Sequence, residues 1–114
     1  MLESANQKID ELLVDEKLSV GIDFNDTDES AISVITPCTV LSSAAAETRT
    51  LPNGREGQRK ILVGGATVTG AITITPASLQ GYTAIAIGAA GRGCELIFNK
   101  GAWHCFALGG ATIA

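Results

Sequence analysis

Two periodicities divide the chain. Over residues 2–20, LESANQKIDELLVDEKLSV, the apolar positions Leu2, Ala5, Ile9 and Leu12 recur at spacings of three and four, which predicts a helix with one apolar stripe. Ser4 with Gln7 fits a capping box, and Asp10 and Glu11 precede Lys17 in the order the helix dipole favours. A helix this short is not stable in isolation, so it is expected to dock on its own domain, a sister subunit or another protein. Glu16 falls where the next stripe residue belongs, which argues against a longer coiled coil.

From Ala31 onward the pattern changes to short β-prone runs separated by turn residues. AISVITPCTVLSS, ETRTL, QRKILV, TVTGAITIT, YTAIAIG, CELIFN and AWHCFALG are predicted strands. Ile72 and Ile74 alternate with Thr73 and Thr75, and Ile85 and Ile87 alternate with Ala84 and Ala86, placing the isoleucines on a buried face. NKGAW reads as a tight hairpin turn. The expected fold is mainly β: a small antiparallel β sandwich or barrel-like module, residues 31–114, behind an acidic helical arm and linker, residues 1–30. GIDFNDTDES is the linker. Its Asp23, Asn25 and Thr27 faintly resemble a calcium loop, but Asp28 stands where that loop needs glycine and Val34 where it needs a carboxylate.

Composition sharpens this picture. A chain of 114 residues has room for one domain, whose small core makes help from a partner expected. Hydrophobic residues make up 46% but aromatics only 4%, so the core is predicted to be aliphatic. No apolar run approaches the roughly 18 residues of a membrane span, and the N-terminus lacks a signal-peptide pattern, so a soluble, unexported protein is expected. Cys38, Cys94 and Cys105 are odd in number and widely spaced, which favours free structural thiols over disulfides or a zinc site. Residues 1–30 carry nine acids against Lys8 and Lys17, a net charge of −7, while residues 31–114 carry +3. The acidic arm would repel phosphates, and the basic residues of the β half lack the aromatic companions of a nucleic-acid platform.

Candidate chemistry is sparse. His104 is the only histidine, and Cys105 beside it would point to the opposite face of a strand. GAAGRG at 88–93 has the look of a phosphate loop but is followed by the strand-like CELIF rather than by a helix. TLPNGREGQ carries a strong turn signal in Pro52-Asn53-Gly54 and reads as a surface corner leading into a strand. No catalytic residue, cofactor or metal ligand is assigned.

The order TRTLPNGREGQRKILV, then TVTGAITITPASLQGYTAIAIGAAGRGCELIFNKGAWHCFALGGATI, resembles a C-terminal β module of tailed-bacteriophage virion proteins, notably head decoration (cement) proteins and some fibre proteins. The resemblance covers roughly residues 47–114. It implies a non-enzymatic structural protein, usually a homotrimer, that binds the major capsid protein on the surface of an assembled head and takes its place in the virion. On that reading the arm residues Leu2, Ile9, Leu12 and Leu13 are the expected capsid or subunit interface. The alternative is a fibre or spike module that recognises a host-surface glycan, for which Tyr82 and Trp103 are the candidate platforms.

Overall fold

The computed structural model describes residues 21–114, and the predicted helical arm lies outside the described residues. The described chain is mainly β, with ten strands: β1 (Ile22–Asn25), β2 (Ser30–Ala31), β3 (Cys38–Ser43), β4 (Glu47–Leu51), β5 (Arg59–Val68), β6 (Ile72–Pro76), β7 (Ile85–Ile87), β8 (Gly93–Asn99), β9 (Ala102–Gly109) and β10 (Thr112–Ile113). They form two five-stranded sheets, β1-β3-β5-β8-β9 (sheet A) and β10-β7-β6-β4-β2 (sheet B).

The antiparallel expectation is corrected, because both sheets are mixed. β1, β3 and β5 are parallel neighbours in sheet A, and β2, β4 and β6 are parallel neighbours in sheet B. Up to β6 the chain crosses from one sheet to the other at every turn, so consecutive strands never pair and same-sheet neighbours run in the same direction. Only the second half, β6-β7, β5-β8, β8-β9 and β7-β10, is antiparallel. Hairpin turns and sheet-crossing turns use the same glycine, proline and asparagine residues, so turn composition alone did not separate the two.

Three segments differ from their predicted bounds for local reasons. GIDFNDTDES is not a linker: β1 and β2 occupy it, with Glu29 and Ile32 donating backbone hydrogen bonds to Thr48 and Thr50. AISVITPCTVLSS is divided between β2 and β3, with Pro37, which cannot donate to a ladder, immediately before β3. TVTGAITIT breaks between β5 and β6 at Gly70, where an added Cβ would lie 2.3 Å from the backbone of Ala45 and Ala46, so only glycine lets the two crossings meet. The NKGAW turn is as predicted: Lys100 (φ 53°) and Gly101 (φ 79°) form the two-residue connection of β8 to β9.

One core lies between the sheets. Leu41, Leu62 and Leu96 enter it from sheet A, and Leu51, Ile72, Ile74, Ile85 and Ile87 from sheet B. Two cations are buried with them. Lys60 Nζ donates to the Thr36 carbonyl (2.8 Å) and to Thr39 Oγ1 (2.6 Å), while both threonine hydroxyls donate to Asp23. Arg49 donates to Asn25 Oδ1 (2.6 Å), the Ser42 carbonyl (2.8 Å) and Glu47 Oε1 (2.9 Å). Both networks tie β1 to the body, and among the described residues no buried side-chain nitrogen or oxygen lacks a partner.

Candidate functional site

The outward faces of the two sheets have opposite character. On sheet B, Thr48 pairs with Thr73 and Thr50 with Thr75, and Thr73 in turn pairs with Ala86, giving a short polar surface suited to water. On sheet A, Thr39, Leu41 and Ser43 of β3 and Lys60 and Leu62 of β5 turn inward, so the alternate residues face out. Those outward positions form two rows across the strands. Ile22, Cys38, Ile61, Glu95 and Ala107 make one; Phe24, Val40, Val63 and Gly93 make the other. Directly opposed side chains of neighbouring strands lie about 5 Å apart, so these rows form an apolar surface over β1, β3 and β5, which Glu95 interrupts on β8 and Arg59, Ile97 and His104 flank in a further row.

Ile22 and Phe24, on the edge strand, are 45% and 78% exposed. Toward β9 the surface sinks into a shallow depression of about 320 Å³ lined by Ile61, Val63, Glu95 and Ala107, with Gly93 and Gly109 supplying no side chain to fill it. Parallel strands are ordinarily covered on both faces. Among the described residues, β1, β3 and β5 are covered on one.

The corner TLPNGREGQ packs its inner side on Trp103, while Pro52, Asn53, Arg55 and Glu56 stay exposed and Asn53, Gly54, Arg55 and Gln58 line a depression of about 390 Å³ with Val34 and Ile35. Trp103 donates its indole N–H to the Pro52 carbonyl at 2.9 Å and is fully buried, with its ring edge-on to Phe98 at 5.2 Å. Gly54 lies directly against that ring, where a Cβ would come within 2.8 Å of it. Gln58 closes the loop by accepting from the Arg55 backbone N–H and donating to the Val34 carbonyl, and the Glu56 carboxylate accepts from the Lys100 N–H of the β8–β9 turn.

Of the residues singled out in the sequence, Leu2, Ile9, Leu12 and Leu13 lie outside the described residues. Trp103 as a recognition platform is corrected: its ring presents no free face, because the corner closes over it. Tyr82 is 52% exposed, in the loop before β7 rather than on a strand. Trp103 points into the core while His104 shares the outward side of sheet A with Ile97, its Nε2 3.0 Å from the Asn99 carbonyl oxygen. Cys94 is buried and its thiol is pushed up to about 12, chiefly by desolvation, leaving it a poor nucleophile. Among the described residues, no three His, Cys, Asp or Glu side chains gather into a metal-ligand cluster.

Sequence reasoning missed the outward rows of sheet A. The signal was present: Ile61-Leu62-Val63 and Val40-Leu41 are apolar at consecutive positions, the mark of a strand apolar on two faces, whereas TITIT alternates. No protein-family model matches the chain, and no curated protein matches it either.

Proposed function

We propose that this chain is a non-enzymatic structural protein of the virion, a decoration or cement protein that binds the assembled head and reinforces it. Its described part acts as a two-sheet β sandwich carrying one apolar docking face. The observation that supports the reading is the asymmetry between the sheets: threonines cover the outside of sheet B, while Ile22, Phe24, Val40, Ile61 and Val63 cover the outside of sheet A. An apolar sheet face of this extent on a small domain is a contact surface for protein. The fixed corner and buried cations hold that face in shape, as a part that works by fitting requires.

Reinforcement follows from mass action. A protein that binds the closed lattice and not free coat subunits biases the equilibrium toward closure with every copy bound. In this proposal the homotrimer and the major capsid protein are the partners, and Leu2, Ile9, Leu12 and Leu13 of the arm join the sheet A face in the contact. The test is co-sedimentation with purified shells of the full chain and of a chain lacking residues 1–20. The full chain should pellet with shells at saturable stoichiometry, and the truncated chain should bind weakly or not at all while keeping its β-sheet circular dichroism. Equal binding by the two chains would refute the anchoring role; no binding by either would refute the assignment.

A further inference from the structure

We infer that, in the unassembled chain, residues 1–20 pack over the outward face of sheet A of the same molecule, their apolar stripe on Ile22, Phe24, Cys38, Val40, Ile61 and Val63. This deepens the docking reading by naming what covers the face before assembly, and it rests on that reading only in that respect.

Three observations carry it. First, among the described residues the face is apolar and uncovered on the side where β1, β3 and β5 lie parallel, an arrangement ordinarily covered on both sides. Second, the described chain begins at this surface. Gly21 is held to sheet A by the Cys38 N–H, which donates to its carbonyl at 3.1 Å, and the next residue, Ile22, already belongs to the outward row.

Third, the length and pattern fit. Twenty residues in a helix extend about 30 Å, and five strands spaced about 4.8 Å apart span roughly 20 Å, so the segment reaches every strand of the sheet. Leu2, Ala5, Ile9 and Leu12 give it the single apolar stripe that such a surface accepts, and its five acids occupy other positions. The depression at Ile61, Val63, Gly93 and Ala107 is a seat for one of its larger side chains.

The test uses the isolated full chain, with no shell present, so failure to find shell binding leaves it untouched. Cys38 sits in the outward row between Ile22 and Ile61 and Cys94 in the core, which makes their maleimide-labelling rates, resolved by peptide mass spectrometry, a built-in probe and control. The chain should label at Cys38 at least about tenfold more slowly than the double variant Ile9→Glu/Leu12→Glu, as expected for a site protected by a local contact. Cys94 should stay slow in both, reporting an intact fold, and Cys38 protection should be independent of protein concentration. Equal Cys38 rates in the two proteins would overturn the inference. Protection that fades on dilution would also overturn it, by assigning the face to a second copy.

Discussion

Replacing Trp103 with phenylalanine and with alanine separates a structural keystone from a surface ring. Trp103→Phe keeps an aromatic edge against Phe98 but removes the indole N–H that donates to the Pro52 carbonyl at 2.9 Å. A hydrogen bond of this kind contributes about 0.5–1.5 kcal/mol net, and a domain of this size loses roughly 4–8 °C of Tm per kcal/mol. The phenylalanine variant should therefore melt some degrees lower with its assembly behaviour preserved. Trp103→Ala also leaves a cavity against Gly54 and the core, at a cost of about 3–5 kcal/mol. That corresponds to a Tm lower by at least roughly 12 °C. The backbone bonds of Trp103, to the Ser78 carbonyl and from the Gln80 N–H, survive both changes, so the loss measures the side chain. Thermal melts followed by far-UV circular dichroism read the effect without the tryptophan signal. An alanine variant whose melt overlays the wild-type curve would refute the corner's role and restore Trp103 as a candidate for recognition.

Gly54→Ala forces a Cβ to within 2.8 Å of the Trp103 ring and should cost about 1–3 kcal/mol in chemical denaturation, the range for overpacking. Phe24→Asp, at a position 78% exposed in the described chain, should leave the far-UV spectrum unchanged. It should also weaken shell binding at least about tenfold, since burying a phenylalanine contributes about 1.5–3 kcal/mol and 1.4 kcal/mol is tenfold in affinity. Unchanged binding isotherms would remove the sheet A face from the contact. Glu47 accepts from the Ala44 N–H and from Arg49, which hold its carboxyl below the ordinary 4.5. A depressed carboxylate contributes stability that is full above pH 4.5 and lost as pH falls through the lowered value. Denaturation midpoints should drop over that acid window in the wild type and less so in Glu47→Gln.

What the sequence disclosed was local. The isoleucine alternation at 72–74 and 85–87 marked core positions correctly, because a strand with one wet face writes its burial in alternate letters. The Lys100-Gly101 turn was legible because a two-residue hairpin demands positive φ at both positions. Topology was not legible: whether β3 returns to β4 as a hairpin or crosses to the other sheet depends on packing across the core, which three exposed alanines at 44–46 do not encode. Trp103 stood with Tyr82 as a candidate platform because the chain has few aromatics, and only the distant Pro52 carbonyl reveals it as a clasp. The outward apolar face went unread because β1 lies in a stretch whose acids suggested solvent. Asp23 instead turns inward to Thr36 and Thr39, and that leaves Ile22 and Phe24 facing out.

The central claim, a structural chain that docks on an assembled particle, is tested most directly by electron microscopy of the native assembly together with the protein's mass in solution. The account predicts an oligomer in solution and regularly repeated density on the particle surface that fits the two-sheet body, with sheet A toward the contact. A monomer in solution with no density on any particle would contradict it.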